Sequence, residues 1–274
     1  MQAFRHHKKI ATLAIFLVVI ISISAFIVHN TSNQSPSTSP SPTPTQTPTQ
    51  DSSPSPTLPP TATPTSPPRT PIRFPTTIPG PEIDMTRHVG EITQYQGVDL
   101  SPINAVYQNA VAGLQYINQT TYQLKITGLV DKTLNYTYNQ VIANHPTIPK
   151  VATILCVEGW SATLLWEGIS VNTLLMEAGI NPQTTVIIFH ASDGYTTALP
   201  LDYIVQNNVI IAYRINNVTL TPEKGWPFML VGQNEYGYKW IKWLTEIEAS
   251  NDTNYLGYWE SRGYPNDATI TQNP

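Results

Sequence analysis

Val151-Ala152-Thr153-Ile154-Leu155-Cys156-Val157 runs directly into Glu158-Gly159-Trp160-Ser161, and this junction carries the only cysteine of a 274-residue chain. The first seven residues are a short, mostly apolar run of strand length, which predicts a strand buried on both faces. A glycine among polar residues follows, so Cys156 is expected at a strand end, where side chains leave the sheet for a site. One cysteine excludes an intramolecular disulfide framework and any metal cage built from several thiolates. From the residues alone Cys156 is either a small buried hydrophobe or half of a thiol–imidazole pair with His88, His145 or His190.

Outward from this junction, residues 122–128 alternate with period two and end at Gly128, which predicts a strand. Residues 135–142 read as a turn entering a short helix that stops before Pro146. Residues 171–178 read as a helix: Val171, Leu174, Leu175 and Ala178 share a face, and Gly179 stands where a C-cap belongs. Residues 185–189 and 209–213 are expected as buried strands. Residues 239–248 alternate only in part, which predicts a strand with a bulge. Many short strands with few helices predict a mixed, β-rich α+β domain. No dinucleotide-binding or phosphate-loop glycine pattern occurs.

The first third of the chain differs in kind. Sixteen of the 25 prolines lie in residues 1–81, with a single acid, Asp51, against five bases. Residues 82–274 hold every tyrosine and tryptophan, and seventeen acids against nine bases. That acidic balance argues against nucleic-acid binding, which normally needs a basic face. Residues 10–28 are uncharged and rich in Ile, Val, Leu, Ala and Phe, near the ~20 residues that span a bilayer. Arg5, Lys8 and Lys9 precede the run, which places residues 1–9 in the cytoplasm, 10–28 across the membrane as an anchor and everything after His29 outside. A cleaved signal peptide is the alternative, with small residues at Ser22-Ile23-Ser24-Ala25. Residues 29–88 read as an extended Pro/Ser/Thr-rich linker that lifts a folded domain, residues 89–266, from the membrane, and residues 267–274 form a tail. Glycosylation sequons at Asn118, Asn135, Asn217 and Asn251 agree with an outside location.

Several blocks taken in order carry a resemblance. Cys156-Val157-Glu158-Gly159-Trp160-Ser161 with Trp166-Glu167-Gly168 resembles the cofactor-cysteine segment of the sulfite-oxidase-like molybdopterin oxidoreductases. Asp193-Gly194-Tyr195-Thr196-Thr197 with Leu199-Pro200-Leu201, then Gly225-Trp226-Pro227, then Tyr236-Gly237-Tyr238-Lys239-Trp240-Ile241-Lys242-Trp243 continue it. Gly257-Tyr258-Trp259-Glu260-Ser261-Arg262-Gly263-Tyr264 is similar to the tail of a short prokaryotic branch. The resemblance covers residues 90–265. It implies the sulfite-oxidase fold and a Mo-molybdopterin cofactor, with the thiolate of Cys156 as the molybdenum ligand. A soft thiolate suits a sulfur-rich metal centre, and metal binding keeps it deprotonated.

The resemblance also implies that Lys239, Trp240, Ile241 and Lys242 reach the phosphate end of the pterin, that Lys224 points toward the cofactor, and that Asn109 belongs to its N-terminal binding stretch. Asp193 and Tyr195 are expected in a loop facing the metal, as hydrogen-bonding or proton-delivering groups. Met229 stands where sulfite oxidases carry an arginine, which disfavours a sulfite dianion. The expectation is therefore an extracytoplasmic, membrane-anchored oxygen-atom transferase that reduces a small or protein-bound S- or N-oxide. It would exchange electrons with a separate partner, a membrane-bound protein being one candidate. The alternative is an inactive domain of the same fold that serves as a stalked binding module.

Overall fold

Alternating apolar residues sort most of the strands into two sheets that share a buried layer. The computed structural model describes residues 84–270. The anchor expected at 10–28 and nearly all of the linker therefore lie outside the described residues. A small hairpin, β1 (Gln94–Tyr95) and β2 (Val98–Asp99), comes first. Then follow β3 (Leu124–Gly128), β4 (Leu134–Tyr136), β5 (Ile148–Leu155), β6 (Ser161–Ser170), β7 (Val186–Ala191), β8 (Thr196–Pro200), β9 (Ile210–Ile215), β10 (Val218–Thr219), β11 (Met229–Val231) and β12 (Leu244–Ser250). One sheet has the order β10-β9-β6-β5, with β11 also paired to β9; the other has the order β4-β3-β12-β7-β8. Only β3 with β12 is parallel among these pairings.

The β9 strand shows how the layers share residues. Ile211 and Tyr213 face a core completed by Ile126, Phe189, Leu244 and Ile247 of the second sheet. Ile210 and Ala212 face the opposite core, with Ala162, Leu164 and Trp166 of β6 and with Trp160, Met229 and Trp240. Both faces of β6 and β9 are therefore buried, which removes the polar alternation that a half-exposed strand would show. For that reason β6 is absent from the sequence reading, although it is the longest strand described.

Three short helices pack against the first of these cores. Helix α1 (Tyr138–Asn144) begins with a capping box: Gln140 N donates to Thr137 Oγ1 at 3.3 Å and Thr137 N to Gln140 Oε1 at 2.8 Å. Helix α2 (Val171–Ala178) buries Val171, Leu174, Leu175 and Ala178 and ends on Gly179 at φ 73°, as its spacing predicts. Helix α3 (Leu201–Gln206) is too short to show a period and was not expected.

The expected strand over 239–248 is corrected. Gly237–Lys239 forms a three-ten turn and β12 begins only at Leu244. Trp243 sits at φ 52°, outside extended backbone, while Leu230 N donates to the Ile241 carbonyl at 2.9 Å and Trp243 N to the Gly225 carbonyl at 3.2 Å. The chain thus spends its backbone groups on loops and leaves Trp240–Trp243 outside the ladder. The register shift lies one step further on, between Leu244 and Glu246.

β6 shifts register against β9 between Glu167 and Gly168, where the strands approach closely. A Cβ at Gly168 would stand 2.2 Å from the Ile211 carbonyl oxygen. Gly168→Ala should therefore destabilise the domain by ~1–3 kcal/mol, read as a lower urea midpoint with an unchanged slope. An unchanged midpoint would show that the two strands can separate at no cost.

Candidate functional site

The hairpin turn between β5 and β6 presents Cys156. Its N–H donates to the Trp160 carbonyl at 2.9 Å and Gly159 N donates back to the Cys156 carbonyl at 3.0 Å, with Gly159 at φ 88°. The side chain lines a cavity of about 290 Å³. The β7–β8 turn brings Asp193 and Tyr195 to the same cavity, the stretch after Val106 brings Tyr107 and Asn109, and the loop before β12 brings Trp240, Ile241, Lys242 and Trp243. Seven of the expected site residues, far apart in sequence, therefore converge: Asn109, Cys156, Asp193, Tyr195, Trp240, Ile241 and Lys242.

Cys156 is a free, buried thiol. Burial pushes it up to about 11, since a thiolate there loses solvation. Its Sγ lies 3.7 Å from Glu158 Oε2, which also accepts from Trp160 Nε1 and from Asn109 Nδ2, each at 3.1 Å. Glu158 thus links the cysteine turn to the stretch that carries Asn109, a role the sequence reading did not assign although the residue stood in the quoted block. Neither His145 nor His190 lines the cavity; His145 Nε2 meets Glu177 at 2.9 Å and His190 Nε2 meets Glu248 at 2.8 Å. His88 meets Asn104 at 2.8 Å, also away from Cys156. Among the described residues the thiol–imidazole reading consequently has no imidazole at the cysteine.

Asp193 Oδ1 accepts from Tyr195 N at 3.0 Å, which shapes the turn, and Oδ2 accepts from Val111 N at 3.4 Å. The Tyr195 hydroxyl donates to the Tyr238 carbonyl and is held well above the usual range by burial. It braces the loop and is not free as a proton donor.

Lys242 is the most revealing residue. Its Nζ is buried with no hydrogen-bond partner, 4.4 Å from the centre of the Trp243 ring. Burial lowers it to about 8, with the charge of Lys224 adding to the shift and that of Asp193 opposing it. Gly225 makes room for it: a Cβ there would meet Lys242 Cγ at 2.8 Å, and φ is 93°. A buried, unpaired ammonium is costly unless an anion joins it.

Two expected lysines lie elsewhere. Lys224 is buried outside the cavity lining and donates to the Val106 carbonyl, bracing the stretch that leads to Tyr107. Lys239 is turned away by the three-ten turn and is buried against Glu260, Nζ to Oε1 2.6 Å. The expectation that they face the cofactor is not met by this geometry. Trp259 and Tyr264 of the C-terminal block also line the cavity. Met229 lines it at the position where an arginine was absent. His190, Glu246 and Glu248 gather on the outer face of the second sheet, but Glu246 is engaged by Thr127 Oγ1 at 2.6 Å and His190 by Glu248.

The donor set suits a cofactor with a soft metal at one end and an anionic group at the other. Cys156 offers a sulfur ligand, Lys242 a cation without a hydrogen-bond partner, and eight of the 21 lining residues are aromatic.

Comparison with known proteins agrees with this chemistry. Residues 111–259 match the family described as oxidoreductase molybdopterin binding domain. The chain is 35% identical over 150 residues to the uncharacterised oxidoreductase YuiH of Bacillus subtilis, covering 54% of this chain and 75% of that protein. It is 27% identical over 194 residues to the protein-methionine-sulfoxide reductase catalytic subunit MsrP of Gluconobacter oxydans, covering 62% of this chain and 60% of that protein. The sulfane dehydrogenase SoxCD of Paracoccus pantotrophus shares the fold, with a TM-score of 0.53 and 21% identity over 56% of this chain and 44% of that one.

The strained ammonium gives a pH signature. The unfolded chain holds the Lys242 proton up to the ordinary 10.5, the fold only to about 8. Between these values the unfolded chain binds more protons, so stability rises with pH; below about 8 the full cost, on the order of a few kcal/mol, is present. Lys242→Met should raise the urea midpoint of cofactor-free protein at pH 7, and the advantage should vanish by about pH 10.5. A lower midpoint at pH 7 would mean that the ammonium is satisfied within the protein.

Proposed function

This chain belongs to the molybdopterin-binding oxidoreductases of the sulfite-oxidase type, and on that premise we propose that it reduces S- or N-oxides by oxygen-atom transfer outside the cytoplasm. The observation that supports this reading best is the opening of Cys156 and the unpartnered Lys242 onto one cavity. The cofactor implied by the family is a molybdenum–pterin, which when bound supplies two-electron oxygen-atom chemistry.

The protein's share is holding and excluding. Cys156 would supply the metal's protein sulfur, and ligation would keep deprotonated a thiol that burial otherwise holds protonated. Lys242 would hold the pterin phosphate, an anion that would relieve its desolvation. Trp240 and Ile241, both buried, wall this end against water. Asp193 stands at the rim with its carboxyl fixed by Tyr195 N and Val111 N, placed to pass on the protons that oxide reduction consumes.

Substrate choice follows from charge. Among the described residues the side chains lining the cavity include Glu158 and Asp193 but no arginine or histidine, and Lys242 is the only basic one. With that lysine committed to the phosphate, no cation remains for a sulfite dianion, whose desolvation would go unpaid. A neutral sulfoxide or amine oxide has no such requirement. The apolar run at 10–28 supports a membrane-anchored placement with the enzyme outside. Electrons come from a separate protein.

Protein matured with the cofactor should contain molybdenum and give the paramagnetic signal of its intermediate oxidation state. Cys156→Ser should alter that signal, with dye-linked oxide reduction down by more than about 100-fold. Wild-type protein without molybdenum after such maturation overturns the enzyme reading and favours a binding module. Faster turnover of sulfite than of sulfoxides or amine oxides overturns the substrate reading alone.

A further inference from the structure

Residues 257–264 pass alongside the cavity without joining either sheet. Trp259 and Tyr264 from this segment line the cavity. Their rings lie 5.1 Å apart, and Tyr264 meets Tyr238 edge-on at 5.3 Å. Between them Glu260 turns inward. Its Oε1 meets Lys239 Nζ at 2.6 Å and accepts from Thr197 Oγ1 at 2.8 Å. Lys239 Nζ also donates to the Ala198 carbonyl at 3.1 Å and to Asn266 Oδ1 at 3.2 Å. Both charged residues are 1% exposed. The close seat of the segment depends on Gly257, where a Cβ would stand 2.5 Å from the Thr196 carbonyl oxygen.

A buried ion pair is a poor source of net stability, because desolvation offsets most of the attraction, and an apolar pair would often serve as well. What it fixes is position. Lys239 directly precedes Trp240 and stands three residues before Lys242, so the pair ties the C-terminal wall of the cavity to the loop that supplies its cation. We propose that Glu260 is a positioning residue of the cofactor site: through Lys239 it holds residues 257–264 as a wall, so that docking of this segment and retention of the cofactor reinforce each other. The proposal rests on the cavity at Cys156 being the cofactor site. Reciprocity follows from linkage: what the docked segment adds to cofactor affinity, the cofactor adds to docking.

Hydrogen exchange on full-length wild-type protein, molybdenum-loaded against cofactor-free, tests this without a variant. The amides of Tyr258, Ser261, Arg262, Gly263 and Tyr264, each hydrogen-bonded to a backbone carbonyl, should exchange at least about tenfold more slowly in the loaded form, while those of β6 stay unchanged. In parallel, Glu260→Ala should release molybdenum and pterin at least about tenfold faster than wild type, and Glu260→Gln, which keeps both hydrogen-bond partners, should fall between them. Equal exchange of the segment in the two forms overturns the proposal, as does a wild-type release rate from Glu260→Ala. If that variant does not fold, the wild-type comparison decides. Cys156→Ser separates the two ideas. An unchanged paramagnetic signal from that variant overturns the cavity assignment itself, whereas a changed signal beside an unaltered Glu260→Ala overturns only the role of Glu260.

Discussion

Leu164 and Trp166 on one face of β6 and Ile169 on the other must all be kept from water. A single sheet with one solvated face cannot do that, so a second sheet covers one side, and loops with their aromatic side chains cover the other. The cavity is a product of the second solution. Loops pack less regularly than strands, and the space they leave beside Trp160, Trp240 and Met229 opens next to the turn that carries Cys156. The position of the thiol thus follows from the β5–β6 register, which ends at Leu155 opposite Ser161.

The site holds the one side-chain nitrogen that is buried without a hydrogen-bond partner among the described residues. Most buried polar groups are partnered, down to the Trp166 indole on the Ala152 carbonyl at 3.1 Å, yet Lys242 Nζ has no hydrogen-bond partner. Burial also raises Cys156. Both groups are held in states that water would relieve, which is how a protein prepares a place for a charged, metal-bearing guest. The same locality that weakens the empty fold is the one where binding returns most.

Much of this was legible residue by residue. Helix α2 announced itself through one apolar face and a glycine stop, and α1 through the proline that ends it, because these signals act within a few residues. β6 did not, since burial of both faces erases period two, and α3 was too short to show any period. The segment at 239–243 was misread as strand because its alternation is real but its backbone groups bond to Gly225, Leu230 and Gly237 instead of to a ladder. Its two lysines could not be told apart in sequence. A three-ten turn sends Lys239 to Glu260 and leaves Lys242 to the cavity.

The order of short motifs was enough for the family and the cofactor class, and it singled out Cys156 as the residue to test for the metal. Tertiary structure decided which polar residues share the cavity with it. Asn109, Asp193 and Lys242 come from three separate loops, and Trp259 and Tyr264 from a fourth segment tied down by a buried ion pair. Contacts of that kind depend on how loops close over a packed sheet. Loop closure is set by long-range pairing and burial, neither of which leaves a local pattern in the chain.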